Sequence, residues 1–130
     1  VIAMSCRLSE IIVQCTDPVG LSRFWVEVLG YVELSREEPE DGIEIGPASG
    51  FGGAAPTLVF SRAADHVPGR LPWHVDVNPV DRDQDAELER LLSIGARHKD
   101  VGQTGEEAWF VLQDPEGNEF CLLRRRLPEL

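Results

Sequence analysis

Apolar side chains recur at helical spacing in two stretches of the chain and alternate with polar ones in most others. Leu21, Phe24, Trp25, Val28 and Leu29 form a stripe that opens on Asp17-Pro18 and closes at Gly30. An acid able to cap, a proline suited to the first turn and a terminal glycine predict a helix. Leu88, Leu91 and Leu92 repeat the stripe before Gly95, and Asp81, Asp83, Asp85 and Glu87 load acid into its first turns, where it favours the helix dipole. A second helix is expected there, with Asp81 as the acid that opens it.

A strand-like run precedes each helix, Glu10 to Cys15 and His74 to Asn78, and the two align without gaps. Glu10 stands seven residues before Asp17, as His74 does before Asp81. Further short strands are expected at Tyr31 to Ser35, Ile43 to Gly46 and Thr57 to Ser61, then at Ala96 to Val101, Ala108 to Gln113 and Glu119 to Arg124. Turns are explicit at Glu40-Asp41-Gly42 and Asp114-Pro115-Glu116-Gly117. Each half therefore reads β-α-β-β-β, an internal duplication whose halves are too small to bury a core alone. The expected class is α+β: two tandem βαβββ modules, about 5–63 and 71–126 of a single 5–126 domain, forming one curved mixed sheet around a concave cavity with the helices outside. The glycine- and proline-rich stretch from Gly46 to Pro56 lacks the lysine of a phosphate loop and the spacing of a dinucleotide fingerprint, so it reads as a flexible connection.

Composition narrows the function classes. The chain of 130 residues carries 12 basic and 23 acidic side chains, a net charge of −11, which argues against sequence-independent nucleic-acid binding. No apolar run approaches the roughly 18 residues of a membrane span. Cys6, Cys15 and Cys121 show no CxxC spacing and are odd in number, and Val1-Ile2-Ala3-Met4 has neither the positive start nor the apolar stretch of a secretion signal. A cytoplasmic location is expected.

Alternate strand residues share a face. Ile11, Val13 and Cys15 oppose Glu10, Ile12 and Gln14; Trp73, Val75 and Val77 oppose His74, Asp76 and Asn78; Phe120 and Leu122 oppose Glu119, Cys121 and Leu123. With the helices over the apolar rows, the second face presents Glu10, Gln14, His74, Asp76, Glu119 and Cys121. That face either meets water, as antiparallel sheets often do, or lines a cavity. Trp25 and Trp73 read as core, and Trp109, an aromatic on a strand, either as packing or as a surface for a planar ligand over which Phe51 could close. His66 and His98 read as surface residues, and Arg124-Arg125-Arg126 as a solvated edge.

Asp17, Phe24-Trp25, Leu29-Gly30, His74 and Asp114-Pro115-Glu116-Gly117-Asn118 together resemble the glyoxalase-like branch of the vicinal oxygen chelate superfamily, over about residues 8 to 126. That superfamily includes glyoxalase I, extradiol dioxygenases and bleomycin-resistance proteins. The resemblance implies a ligand at Glu10, another at His74, one midway along the fourth strand, where Leu58, Val59 and Phe60 offer no donor, and a Glu where this chain has Cys121. It therefore implies no octahedral four-ligand site. No cofactor is certain from it; a divalent metal, zinc held by Glu10, His74 and Cys121, is the candidate.

The expectation for function is a glyoxalase-like enzyme of lyase or isomerase type, with Glu10 and His74 as catalytic acid/base groups because imidazole titrates near neutrality. Gln14, Asp76, Trp109, Glu119 and Phe51 are the candidate substrate contacts. Cys121 is either a nucleophile beside His74 or a small buried thiol. The alternative is a non-enzymatic binder that sequesters a drug, of the bleomycin-resistance type, for which the negative charge would attract a cation. The expected partner is a small molecule, with neither nucleic acid nor membrane. A homodimer is also expected, touching through the Gly46 to Pro56 loop or the strand near Arg124.

Overall fold

Asp17 caps the first helix as its position predicts: its carboxylate accepts from the Gly20 amide at 3.1 Å, Pro18 fills the first turn, and Gly30 ends the helix in the left-handed conformation. The computed structural model describes residues 7–65, 74–100, 102–103 and 107–128. Cys6, His66 and Trp73 lie outside the described residues. Two compact units divide the chain, Val1–His66 and Val67–Leu130. Each has the order β-α-β-β-β and one four-stranded mixed sheet. Among the described residues, no helix is long and apolar enough to cross a membrane.

The first unit comprises β1 (Glu10–Cys15), α1 (Pro18–Leu29), β2 (Val32–Arg36), β3 (Gly42–Gly46) and β4 (Thr57–Arg62), with sheet order β1-β4-β3-β2. Parallel pairing sets Ile11 against Leu58 and Val13 against Phe60, and antiparallel pairing sets Phe60 against Ile43. This row faces α1, which packs on β3 and β4 and adds Leu21, Phe24 and Trp25 to the core. Phe24 and Trp25 meet edge to face. The connection from Gly46 to Pro56, expected to be flexible, is fastened at two points. The Arg7 guanidinium donates to the carbonyls of Gly52 and Gly53 at 2.8 and 2.7 Å, and the Tyr31 hydroxyl donates to Pro56 at 2.7 Å. Burial raises the pKa of Tyr31 above the ordinary phenol value.

The second unit comprises β5 (Val75–Val77), α2 (Gln84–Ser93), β6 (Arg97–His98), β7 (Phe110–Gln113) and β8 (Glu119–Leu122), in the order β5-β8-β7-β6. Leu112, Phe120 and Leu122 share its apolar face, and all three are buried, as is Leu91 of α2. Gln84, at the first position of α2, is buried and donates through Nε2 to the carbonyls of Ala108 at 3.0 Å and Leu122 at 3.1 Å. One side-chain amide thus joins the helix start to the segment before β7 and to the end of β8.

Several boundaries differ from the pattern's expectation. Asp83, not Asp81, caps α2, accepting from the Ala86 amide at 2.8 Å. Asp81 is taken instead by its neighbour Arg82, whose Nε and a terminal nitrogen lie 3.0 and 3.2 Å from its two oxygens; that hydrogen bond lowers the Asp81 pKa. The strand expected over 96–101 shrinks to two residues, because Asp100 turns the chain and accepts from the Gly102 amide at 2.9 Å. β8 stops at Leu122. Beyond it the chain follows residues 78–80 through single bonds, Asn78 Nδ2 to the Arg125 carbonyl and the Leu127 amide to Pro79, both at 2.9 Å. Arg124, Arg125 and Arg126 are exposed, as a solvated edge requires.

Candidate functional site

The strongest constraint on the site is the turn between β7 and β8. Asp114 is 1% exposed, and its Oδ1 accepts from the amides of Glu116 and Asn118, each at 2.9 Å. The Asn118 side-chain amide donates to both Asp114 oxygens, at 3.1 and 2.9 Å. Gly117 takes a positive φ of 86°, which a side chain would resist. The closed turn fixes the register of Gln113 against Glu119 and Val111 against Cys121. A slip of one residue would carry Cys121 to the other side of the sheet.

Parallel pairing of β5 with β8 then sets Asp76 opposite Cys121. His74 stands two residues before Asp76, so alternation puts it on the same side. The three offer donor atoms of three kinds, imidazole nitrogen, carboxylate oxygen and thiol sulfur, all within 4.8 Å of one another. His74 Nε2 lies 3.1 Å from Asp76 Oδ1, with the two side chains 52% and 48% exposed. Cys121 is 8% exposed, which suits a small buried thiol. The triad opens on a cleft of about 550 Å³ also lined by Gln103, Glu107, Trp109 and Glu119. Trp109 is 44% exposed, and its carbonyl accepts from Gln103 Nε2 at 3.0 Å. Among the described residues, the cleft lining holds three carboxylates, from Asp76, Glu107 and Glu119.

On the first unit, Glu10, Ile12 and Gln14 occupy the face of β1 away from α1; Glu10 and Gln14 are exposed, and Ile12 is 54% exposed. The residue of β4 on that face midway along the strand is Val59, paired with Ile12 and Glu44. It carries no donor. Glu44, absent from the sequence-based candidates, is half-buried there; Thr57 donates to its Oε2 at 2.9 Å, and the Ser35 hydroxyl lies 3.4 Å from its Oε1. Alternation in Ile43-Glu44-Ile45, an acid between two fully buried isoleucines, was the signal for it. Phe51, in the loop before β4, is 58% exposed. Asp76 was expected as a substrate contact. Its place beside Cys121 depends on non-local strand pairing, which a single sequence does not display.

Residues 10–123 match the glyoxalase-like domain family. No curated protein is similar enough to match. Among solved structures, a glyoxalase/bleomycin resistance protein/dioxygenase family enzyme from Burkholderia phytofirmans PsJN superposes with a TM-score of 0.67 at 19% identity, covering 90% of this chain and 97% of that one. A mutant of the fosfomycin resistance protein FosX from Listeria monocytogenes, complexed with Mn(II) and 1S,2S-dihydroxypropylphosphonic acid, gives 0.68 at 16% identity, covering 92% and 90%. A possible glyoxalase from Bacillus cereus gives 0.64 at 13%, covering 92% and 99%. At these identities the likeness is one of fold.

Proposed function

The chain belongs to the glyoxalase-like domain family, and we propose that it is a small-molecule enzyme of that kind, working on a polar organic substrate in the cleft of its second unit. The observation that carries this reading is the His74–Asp76 pair, 3.1 Å apart at the wall of a cleft of about 550 Å³ that also presents an exposed indole. A carboxylate beside Nε2 favours the tautomer with its proton there, which leaves Nδ1 as the basic atom. His74 then takes a proton from the substrate at Nδ1 and returns it, as lyase and isomerase chemistry requires, and Asp76 stabilises the imidazolium between the two steps. Trp109 offers a planar apolar surface to the substrate. The resemblance also nominates Glu10, which β1 presents on its exposed face.

A family metal of the hard, oxygen-preferring kind does not fit this donor set. Val59 stands at mid-β4 without a donor, and Cys121 puts sulfur where the resemblance implies a carboxylate. No step of the proposed reaction is routed through such an ion.

The test is turnover of a panel of small carbonyl compounds with protons α to the carbonyl, followed by mass spectrometry. Wild type is expected to convert at least one, His74→Gln to lose about 10²–10⁴-fold in rate while still binding it, and Glu10→Ala to lose rate if Glu10 serves the same chemistry. Binding without turnover, unchanged by His74→Gln, would replace catalysis with sequestration. The acid-lined cleft with its indole supports that second reading, since it suits a planar cation without any reacting group.

A further inference from the structure

A second cleft of the second unit, about 540 Å³ in volume, shares Trp109 with the first and lies at the start of α2. We infer that it is a separate binding site for a zwitterion with a planar ring, the chemistry of an aromatic amino acid. Its volume falls within the roughly 300–1,000 Å³ of small-molecule sites. Gln84 lines it and is only 9% exposed. Both hydrogens of the Gln84 amide are committed, to the Ala108 carbonyl at 3.0 Å and to the Leu122 carbonyl at 3.1 Å. Turning the amide over would set its oxygen against those two oxygens, so the chemistry of the partners fixes its orientation. Among the described residues, no donor reaches Gln84 Oε1. A buried amide oxygen in that state has lost water without a replacement, and a ligand N–H supplies what it lacks.

Charge decides which ends the ligand carries. Asp85, in the first turn of α2, and Arg124, beyond β8, line this cleft, and neither has an ion-pair partner among the described residues. The backbone around Arg124 is nonetheless fixed: the Leu123 amide donates to the Val77 carbonyl and Asn78 Nδ2 to the Arg125 carbonyl, both at 2.9 Å. Arg126, the other cation of the lining, is spent on the Val80 carbonyl, with its Nε and a terminal nitrogen at 3.3 and 3.2 Å. A simple anion would meet Asp83 and Asp85, and a simple cation would leave Arg124 unanswered. A molecule with an ammonium and a carboxylate satisfies both. Its ammonium donates to Gln84 Oε1 and faces the Asp85 carboxylate, and its carboxylate accepts from the Arg124 guanidinium, a fork suited to two parallel hydrogen bonds. The indole of Trp109, 44% exposed, and the half-buried Phe110 offer apolar surface to the ring. His74, Asp76 and Cys121 line the first cleft and not this one, so occupancy here does not depend on the acid–base reading above.

The experiment is isothermal titration calorimetry of the full chain with tryptophan, tryptamine and indolepropionate, the last two each lacking one charged end. One tryptophan per chain is expected, bound at least about fivefold more tightly than either analogue. Arg124→Gln should weaken tryptophan by about five- to tenfold and leave tryptamine unchanged. Asp85→Asn should weaken tryptamine and not indolepropionate. Both substitutions alter exposed side chains without an ion-pair partner among the described residues, so both variants are expected to fold as the wild type does. His74→Gln should alter none of the three affinities. Wild-type protein that takes up no tryptophan would overturn the site, and so would tryptophan binding that Arg124→Gln leaves undiminished. Tryptophan binding weakened by His74→Gln would put the molecule in the first cleft and overturn the second as a separate site. Turnover plays no part in these readouts, so failure of the acid–base reading would not move them.

Discussion

Removing the Asp114 carboxylate tests the most heavily bonded part of the site. Its oxygens accept from two backbone amides and one side-chain amide, at 2.9 to 3.1 Å, and the residue is 1% exposed. Hydrogen bonds to a charged group contribute about 1.5–3 kcal/mol each, so three independent ones would sum to roughly 4.5–9 kcal/mol. They are not independent. Glu116 and Asn118 are half-buried, and water reaches part of what Asp114→Ala would leave open. The expected cost is therefore about 3 kcal/mol, a large fraction of the roughly 5–15 kcal/mol that holds a domain together. Asp114→Asn keeps an Oδ1 acceptor for the two backbone amides and sets a second amide against Asn118, for a cost of about 1 kcal/mol.

Urea denaturation followed by far-ultraviolet circular dichroism distinguishes the two. With a slope of about 1.5 kcal/mol per molar, the midpoint falls by about 2 M for Asp114→Ala and about 0.7 M for Asp114→Asn. Because the turn fixes Val111 against Cys121, Asp114→Ala is also expected to make the Cys121 thiol more reactive toward a thiol reagent, and Asp114→Asn is not. Equal costs for the two substitutions, or an alanine variant within about 0.5 kcal/mol of wild type, would refute the claim that the carboxylate closes the turn.

Three further outcomes are expected. Asp17→Ala and Asp83→Ala should each lower stability by about 1 kcal/mol as lost caps, whereas Asp81→Ala should leave the urea midpoint unchanged; a loss at Asp81 instead of Asp83 would contradict the observed start of α2. Trp109→Leu should weaken binding of a planar cationic probe by about 0.5–2 kcal/mol with no loss of thermal stability, since the indole is 44% exposed; unchanged binding would remove Trp109 from the ligand surface. We further propose a homodimer, the commonest closed assembly, and light scattering checks it: a mass that stays near 14.4 kDa at high concentration would rule it out.

How far each feature could be read from sequence follows how local its cause is. The first helix was legible at both ends because Asp17, Pro18 and Gly30 act within one turn of themselves. The second was legible as a helix but not in its start, since Asp81, Asp83 and Asp85 are all residues able to cap: Arg82 holds Asp81, Asp83 caps, and Asp85 falls in the first turn. Alternation placed Glu10 and Gln14 opposite Ile11, Val13 and Cys15, and the burial of β1 follows that division. It also put His74, Asp76, Glu119 and Cys121 on matching faces. What alternation could not supply was which strands are neighbours. The pairing of β5 with β8 joins residues more than forty apart in sequence and brings Asp76 to Cys121. Glu44 escaped notice for a different reason: its isoleucine neighbours read as a core strand, and the acid between them was not followed to its own face.

The same separation of faces explains how a glyoxalase-like unit can change its chemistry without changing its fold. Phe120 and Leu122, on either side of Cys121, are buried on the apolar side of β8, and their backbone groups hold the ladder whatever side chain lies between them. Val59 sits likewise between Leu58 and Phe60, both buried in the first unit. A substitution at either position alters donor number or softness at the polar face while the packing that defines the module is untouched. A thiol at position 121, where the resemblance implies a carboxylate, is therefore a small change for the fold and a large one for the donor chemistry of the polar face. A buried carboxylate without its ion is costly to desolvate, whereas a neutral thiol is not.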